Sequence, residues 1–304
     1  MRINKFVKQT PLIHSDFFSQ KLGAQIYFKC ENLQKTGSFK FRGACNKILK
    51  FKEENGHFPA KIVANSSGNH AVALAFLAQE FGIEALIFVE ENASKFKVKK
   101  AQDLGAQIIL TKNKKDTEIL AEQKAKEGYL YIHSSNDADV MQGQGTACWE
   151  AMEQMGAETP DVIFAPCGGG GLIAGSYLAA QKLGKKPLIF AAEPLKANDT
   201  SISYRSGKIF EFDDTPQTIA DGARTLRPSA VNFPYIQKLD GVFEIAEEQI
   251  EYWAKLLNEH LQMPVEPTAA LSVAAAQQFV DEQKKNRQKI ADLKILAILS
   301  GGNC

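Results

Sequence analysis

Short runs of β-branched and aromatic residues alternate along this chain with amphipathic stretches of helical length. The runs that predict strands are Gln25–Lys29, Lys61–Asn65, Glu84–Val89, Gln107–Thr111, Tyr129–His133, Val162–Cys167, Leu188–Ala192, Val242–Ile245 and Ile295–Leu299. The stretches that predict helices are Lys40–Glu53, Asn69–Phe81, Ser94–Leu104, Lys115–Glu127, Val140–Met155 and Leu172–Leu183. Such alternation is typical of βαβ units, so we predict an α/β fold with parallel-rich sheets covered by helices on both faces.

The charge balance and the apolar runs exclude several classes of protein. Among the 304 residues there are 36 Lys and Arg against 35 Asp and Glu, so the chain lacks the basic excess that nucleic acids and anionic membranes attract. No apolar run reaches the roughly 20 residues of a membrane span, and no apolar signal segment follows Met1. We therefore expect a cytoplasmic protein with no nucleic-acid partner and no membrane partner.

The cysteines and lysines give two further expectations. The five cysteines are odd in number and form no C-x-x-C pair, which indicates reduced thiols rather than a disulfide framework or a zinc site. They are Cys30, Cys45, Cys148, Cys167 and Cys304. The lysine-dense stretches at 95–100, 112–115 and 284–289 are interpreted as solvated helix faces.

Ligands of open α/β sheets bind beyond the carboxyl ends of the strands, and four such junctions carry unusual residues. The first junction is the segment Ser38-Phe39-Lys40, which opens a predicted helix. Ser38 predicts an N-cap, with Lys40 as an exposed residue of the first turn. Alternatively, the positive field of the helix N-terminus lowers the pKa of Lys40 and makes its amine a nucleophile toward a carbonyl.

The second junction is the turn Ser66–His70, which follows the predicted strand Lys61–Asn65. It is either a plain strand-to-helix turn with Ser67 or Asn69 as the N-cap, or a set of N–H groups that binds a carboxylate. The two interpretations are compatible, because the same turn geometry leaves the first N–H groups of the helix free.

The third junction contains four consecutive glycines, Gly168–Gly171. Such a loop is well suited to wrapping backbone N–H groups around a phosphate. Gly169, Gly171 and Ala174 also satisfy G-x-G-x-x-A, and Glu193 follows at the distance expected of a dinucleotide-binding unit. A nicotinamide-dependent dehydrogenase therefore stays open as an alternative. The fourth junction, Ser300–Asn303, is on its own an ordinary turn after a strand.

The ordered combination of these segments resembles the fold-type II pyridoxal-phosphate enzymes. The specific resemblance is to the serine/threonine dehydratase (threonine ammonia-lyase) and serine racemase family, and it extends from Thr10 to Asn303. Further matching segments are Thr10-Pro11-Leu12, Gly143-Gln144-Gly145-Thr146, Ala220-Asp221-Gly222 and Glu266-Pro267-Thr268-Ala269.

The resemblance implies the cofactor site. Lys40 then binds pyridoxal phosphate covalently, Phe39 packs against the cofactor ring, and Asn69 bonds the ring hydroxyl. Ser300 then faces the pyridine nitrogen. The residues that then bind the phosphate and make the remaining cofactor contacts are Gly168, Gly169, Gly170, Gly171, Leu172 and Gly222.

The resemblance also implies the substrate and metal sites. The substrate carboxylate is bound by Ser66, Ser67, Gly68 and His70. Ser67 is also the proton donor on the face opposite Lys40, and so a second catalytic residue. A divalent cation (Mg²⁺, Mn²⁺ or Ca²⁺) is bound by Glu193, the Ala197 carbonyl and Asp199. Asn198 departs from relatives that often have a second acidic residue there, and His133-Ser134-Ser135 departs in the pocket wall.

The fold implied is a two-domain α/β fold similar to that of the tryptophan synthase β chain. Residues 1–50 and 138–304 then form a large cofactor-binding domain, and residues 51–137 form a small domain inserted in it. The activity implied is dehydration and deamination of L-threonine or L-serine to 2-oxobutanoate or pyruvate and ammonia. Serine racemase and 3-hydroxyaspartate ammonia-lyase stay open as alternatives. We expect an amino-acid substrate and a homodimer or homotetramer.

Overall fold

The computed structural model describes residues 2–66, 68–287 and 289–303, which contain ten strands and eleven α-helices. The strands are β1 (Leu12–His14), β2 (Gln25–Cys30), β3 (Lys61–Asn65), β4 (Glu84–Glu90), β5 (Gln107–Thr111), β6 (Leu130–Tyr131), β7 (Val162–Pro166), β8 (Leu188–Pro194), β9 (Gly241–Ile245) and β10 (Lys294–Leu299). The helices are α1 (Asp16–Leu22), α2 (Lys40–Asn55), α3 (Asn69–Phe81), α4 (Lys95–Asp103), α5 (Lys114–Lys126), α6 (Ala138–Met155), α7 (Gly171–Lys182), α8 (Asp199–Ser206), α9 (Phe233–Ile236), α10 (Glu247–Leu261) and α11 (Pro267–Lys285).

These elements confirm the predicted alternation. Every predicted strand and helix is present, most of them within a residue or two of the predicted ends. The largest difference is β6, which has only two residues where the sequence predicts Tyr129–His133. Within the described ranges, no helix has both the length and the apolar character needed to cross a membrane.

Six strands form one sheet, in the order β1-β2-β10-β7-β8-β9. All neighbours in it are parallel except β1, which pairs antiparallel with β2 at the edge. The inner strands β7 and β10 are almost wholly buried, as expected for a parallel sheet with helices on both faces. One layer, which includes α10 and α11, places Trp253 and Phe279 in a core with Phe18 and Phe164. Helices α6 and α7 contribute to the core on the other face.

The other four strands form an all-parallel sheet, in the order β5-β4-β3-β6. Its strands lie between residues 61 and 131, while the strands of the six-stranded sheet come from both sides of that stretch. The chain thus leaves one sheet, builds the other and returns. The limits 51 and 137 for an inserted domain remain a prediction.

Helices α6 and α7 cross very closely, and this crossing positions the glycine-rich loop that precedes α7. A Cβ atom on Gly145 would contact the carbonyl oxygen of Gly175, and one on Gly175 would lie 2.5 Å from that of Met141. Only glycine lets the two backbones approach this closely. Either glycine-to-alanine change would therefore separate the helices and displace the start of α7.

Candidate active site

A cleft lies between the two sheets, at the carboxyl ends of their strands. Its walls include residues that follow seven different strands, as expected for a ligand site in a parallel α/β protein. These residues are Lys40, Ser66, Asn92, Lys114, Ser134, Gly169 and Ser300.

Lys40 is the first residue of α2, and its amine lies inside this cleft. The Nζ atom donates a hydrogen bond of 2.9 Å to the Ser134 carbonyl and lies 5.0 Å from the centre of the Phe39 ring. Burial, together with the charge of Lys114, lowers the pKa of Lys40 to about 8, against an opposing effect of Glu266. Of the two interpretations of Lys40 from the sequence, the one with a lowered pKa is therefore correct. Its main cause is burial rather than the positive field of the helix N-terminus. An amine with this pKa is an effective nucleophile and base near neutral pH.

The segment before Lys40 is anchored to the chain terminus rather than capped by Ser38. Phe39 occupies the N-cap position of α2 and makes no side-chain cap, so the predicted Ser38 cap is wrong. Ser38 instead forms a β-bridge with Gly301, and the Phe39 N–H donates to the Ser300 carbonyl at 3.1 Å. Backbone pairing therefore holds the lysine segment against the Ser300 turn.

The turn after β3 leads into α3, with Gly68 at the N-cap position and no side-chain cap. The predicted Asn69 cap is therefore wrong, while Ser67 lies outside the described residues. The Asn69 amide donates to Glu266 at 2.7 Å, and its oxygen accepts from Asn303 at 3.0 Å. Asn69, Ser66 and Gly68 all line the cleft.

His70 is buried beside this turn. Its Nε2 atom bonds the Ile132 carbonyl at 2.8 Å, and because a carbonyl only accepts, Nε2 carries the proton. Burial, with the charge of Lys40, lowers the pKa of His70 to about 3, so the ring is neutral. The Nδ1 atom has no partner among the described residues and is an acceptor in this tautomer. His70 thus lines the site as a neutral ring and offers it the Nδ1 lone pair, without adding a positive charge.

The four glycines lie between β7 and α7, with Gly170 in the left-handed region at φ 84°. A Cβ atom on Gly169 would contact Ser135 Oγ, and one on Gly171 would contact Gln144 Oε1. Across the described ranges, no protein acceptor bonds the backbone N–H groups of residues 168–172. The loop is therefore a cradle of free donors at a helix N-terminus, which suits a phosphate group.

Ser300 completes the cofactor-sized space. Its hydroxyl is buried without a partner among the described residues, and Ser300 lines the cleft together with Lys40. Nearby, the Gly222 N–H donates to Thr268 Oγ1 at 2.9 Å. A reactive lysine, a phosphate cradle and an unpaired hydroxyl fit the aldehyde, phosphate and ring nitrogen of pyridoxal phosphate.

Three lysines that we interpreted as solvated lie in or near the cleft, so that interpretation is wrong for them. Lys97 is 2% exposed, and its amine lies 2.7 Å from Asp221 and 3.3 Å from Glu266. Lys100 bonds Asn303 at 2.8 Å, and Lys114 lines the cleft. The sequence contains one indication that Lys97 is buried. Lys97 lies four residues before Ala101, on the same face of α4, and these two residues form the buried stripe of that helix.

The predicted metal ligands Glu193 and Asp199 are each 1% exposed. The two oxygens of Glu193 accept backbone N–H groups of Thr200 and Ser201 at the start of α8. Burial, and then the charge of Asp199, raises the pKa of Glu193, and burial raises the pKa of Asp199 to about 7. No cluster of three or more His, Cys, Asp or Glu side chains suited to a metal occurs in the described part of the chain, so a cation here also needs the Ala197 carbonyl.

Comparison with known proteins gives the same picture. The family model described as "Pyridoxal-phosphate dependent enzyme" matches residues 3–301. L-threo-3-hydroxyaspartate ammonia-lyase of Saccharomyces cerevisiae is 38% identical, covering 99% of this chain and 90% of the relative. Serine racemase of Dictyostelium discoideum is also 38% identical, covering 99% and 91%. The solved structure of maize serine racemase has a TM-score of 0.90 and 34% identity, covering 100% of this chain and 91% of that one.

These similarities confirm the resemblance seen in the sequence, including the α/β fold of type II, and they remove the nicotinamide-dependent dehydrogenase from the alternatives. They also agree with the lysine, the glycine cradle and the serine hydroxyl that meet in one cleft. The chain belongs to the pyridoxal-phosphate dependent enzyme family, among its ammonia-lyases and amino-acid racemases.

Proposed function

We propose that this protein is an ammonia-lyase that dehydrates and deaminates β-hydroxy amino acids. L-threonine gives 2-oxobutanoate and L-serine gives pyruvate, each with ammonia. The observation that carries the proposal is the arrangement of Lys40 and Ser300, which place an amine of lowered pKa and a neutral hydroxyl in the same cleft.

Lys40 is the residue to which we assign proton transfer. Pyridoxal phosphate, when bound, supplies an electron sink for the charge that develops on the substrate α-carbon. The Lys40 amine removes the α-proton, because its pKa near 8 leaves part of it unprotonated near neutral pH. The Ser134 carbonyl, 2.9 Å from Nζ, orients the amine for this transfer.

Ser300 favours elimination among the reactions open to this family. A serine hydroxyl is too weak an acid to hold a proton on the ring nitrogen, whereas a carboxylic acid partner would hold one. Less charge then delocalises into the ring, which favours expulsion of the β-hydroxyl. The Ser300 hydroxyl is buried without a hydrogen-bond partner among the described residues, which supports its assignment to the ring nitrogen.

We assign the substrate carboxylate to the turn Ser66–His70, and we propose as its donors the hydroxyls of Ser66 and Ser67 and the first N–H groups of α3. Ser66 and Gly68 line the cleft, which supports the assignment. His70 contributes shape rather than charge, since its Nε2 proton is taken by the Ile132 carbonyl.

A product assay on the purified holoenzyme tests the proposal. We expect L-threonine and L-serine each to give one 2-oxo acid per ammonia. Conversion of L-serine mainly to D-serine would instead identify the protein as a racemase. Absence of ammonia from both substrates and from 3-hydroxyaspartate would contradict the proposal.

We propose further that Glu193, the Ala197 carbonyl and Asp199 hold a divalent cation (Mg²⁺, Mn²⁺ or Ca²⁺). Support comes from two buried carboxylates that make no ion pair with a basic side chain of the described residues, since a cation would compensate their charge. We expect Mg²⁺ or Mn²⁺ to raise the melting temperature and Asp199→Ala to abolish that rise. No change on chelation of the unmodified protein would contradict the site.

We also propose a homodimer or homotetramer in the cytoplasm. Four large apolar residues are each more than half exposed, and burying them against a second copy of the chain would stabilise an assembly. They are Phe96, Leu110, Ile119 and Leu195. The four described cysteines are buried free thiols, which suits a reducing compartment. Light scattering of the purified protein measures the oligomeric state directly, and a monomer would contradict the proposal.

A further inference from the structure

Besides Lys40, two cationic side chains of the cleft have no carboxylate partner among the described residues. Lys114, the first residue of α5, and Arg224 both line the cleft that contains Lys40. The Lys114 amine donates to the backbone carbonyl of Arg224, and Arg224 Nε donates to the Pro216 carbonyl at 3.1 Å. Among the described residues, neither side chain lies within ion-pair distance of a carboxylate.

Two other cations around the cleft, Lys97 and Arg227, are paired with carboxylates. Lys97 contacts both Asp221 and Glu266, so these two carboxylates of the cleft are already compensated. Arg227, three residues beyond Arg224, pairs with Glu118 at 3.1 Å and also with Glu211. Among the described residues that line the cleft, Lys114 and Arg224 are therefore the cations, besides Lys40, that have no carboxylate within ion-pair distance. Glu90, on the same wall, reaches Lys114 only as a longer-range charge.

Neither cation is assigned to bind a group in the reaction proposed above, although the charge of Lys114 helps to lower the pKa of Lys40. The space around the glycine cradle is lined by Gly168–Gly171 and Lys40 but not by Lys114 or Arg224, so the phosphate does not use them. The α-carboxylate is assigned to the turn Ser66–His70. A half-buried ammonium beside a guanidinium is therefore available for a second anionic group of the substrate.

We propose that Lys114 and Arg224 bind a second carboxylate on the β-carbon of the substrate, so that 3-hydroxyaspartate is the preferred substrate over serine and threonine. This inference rests on the proposed ammonia-lyase reaction and names its substrate class. In 3-hydroxyaspartate the leaving hydroxyl and the extra carboxylate are on the same carbon. Lys114 and Arg224 share a cleft with Lys40, which acts on the adjacent α-carbon.

The chemistry balances without an oxidant. The Cα–H and Cβ–OH bonds break, one water leaves, and an enamine remains. The enamine tautomerises to an imine, and one water hydrolyses it. The net reaction converts 3-hydroxyaspartate to oxaloacetate and ammonia, and both carboxylates are retained. Lys114 and Arg224 act by binding and orienting, not by proton transfer.

Lys114→Met holoenzyme tests the proposal, with Lys115→Met as the matched control because Lys115 is the exposed next residue of α5. The readout is the ratio of kcat/KM for L-threo-3-hydroxyaspartate to kcat/KM for L-serine, measured as ammonia release. A ratio cancels any common effect of Lys114 on Lys40. We expect Lys114→Met to lower it on the order of 10²-fold, since a site that pairs a charged group discriminates against analogues lacking it. Lys115→Met leaves it unchanged, and Lys114→Arg, which keeps a cation, largely restores it.

A binding measurement separates this inference from the proposed function. By titration calorimetry, we expect the unmodified holoenzyme to bind succinate more tightly than butyrate, and Lys114→Met to lose the difference. Deamination of serine with an unchanged ratio and no succinate preference would overturn the dicarboxylate site and leave the ammonia-lyase standing. Deamination of none of the three amino acids would overturn both.

Discussion

The Lys40 amine donates a 2.9 Å hydrogen bond to the backbone carbonyl of Ser134. Lys40 opens α2, whereas Ser134 follows the last strand of the four-stranded sheet, so the contact spans the cleft. The same carbonyl accepts from Gln144 Nε2 at 3.0 Å, and Gln144 Oε1 lies beside Gly171 of the glycine cradle. The position of the reactive amine is thereby coupled to the position of the phosphate site.

The pH dependence of cofactor uptake tests the lowered pKa of Lys40. An unprotonated amine is needed to attack the cofactor aldehyde, so uptake by the cofactor-free protein rises with pH through about 8 rather than through the ordinary 10.5. Lys114→Met removes a positive charge that lowers this pKa, so its midpoint lies higher, while Lys115→Met leaves it in place. Stopped-flow absorbance measures the rate. A midpoint unaffected by Lys114→Met contradicts the assigned cause.

Two lysines of α4 differ sharply in what they contribute to stability. Lys97 is buried and paired with Asp221 and Glu266, so Lys97→Met leaves a buried carboxylate uncompensated and costs about 3–5 kcal/mol. Lys99 pairs with Asp103 at the surface, and Lys99→Met costs less than about 1 kcal/mol. Urea unfolding measures both. Equal losses would mean that the buried pairing does not stabilise the fold.

His70 predicts a loss of stability in acid. Burial lowers the pKa of its folded form to about 3, below the ordinary 6.5, so only the unfolded chain gains the proton between these values. The contribution of His70 to the free energy of unfolding is complete above pH 6.5. Between pH 6.5 and pH 3 it decreases by about 1.4 kcal/mol per pH unit. His70→Gln, which keeps a donor for the Ile132 carbonyl, flattens this slope. His133, whose pKa burial lowers to about 4, accounts for a remaining slope in that variant. An identical slope in both proteins excludes His70 as the cause.

Ser67→Ala separates elimination from racemisation. Racemisation needs a proton donor on the face opposite Lys40, the position that the family resemblance gives to Ser67, whereas elimination does not. We expect Ser67→Ala to suppress D-serine formation from L-serine more than 2-oxo acid formation from L-threonine. The neighbouring change Ser66→Ala, which affects the carboxylate site, lowers both in proportion. Chiral chromatography beside a keto-acid assay measures the two products, and D-serine as the main product of the unmodified enzyme would reverse the proposed order of activities.

Much of the fold follows from local patterns. Strands β3 and β5 and helix α3 have their predicted limits, because each is a short apolar run or a regular apolar stripe between clear breaks. Edge strand β1 has only three residues, too few for a periodic signal. Helix α11 is buried on most of its surface and rich in alanine, which weakens the amphipathic signal. Helix α10, in contrast, has a clear 3.6-residue stripe through Ile250, Trp253 and Leu257 and was predictable.

The cleft could be predicted in part. The glycine loop and Ser300 directly follow strands, and Lys40 opens the helix that comes after β2. Parallel sheets bring the carboxyl ends of their strands together. The partners of Lys97 and Lys114 could not be predicted, because Glu266 lies 169 residues from Lys97 and Arg224 lies 110 residues from Lys114. Contacts at such separations are set by tertiary packing, and a lysine-rich stretch looks the same whether its lysines face water or a cleft.

The covalent attachment of the cofactor tests the central claim most directly. The holoenzyme is reduced with borohydride, digested and analysed by mass spectrometry, beside a Lys40→Ala variant treated identically. We predict a single pyridoxyl group on Lys40, and in Lys40→Ala the loss of both this modification and turnover with the melting temperature of the cofactor-free protein retained. A pyridoxyl group on another lysine, or full activity in Lys40→Ala, would contradict the account.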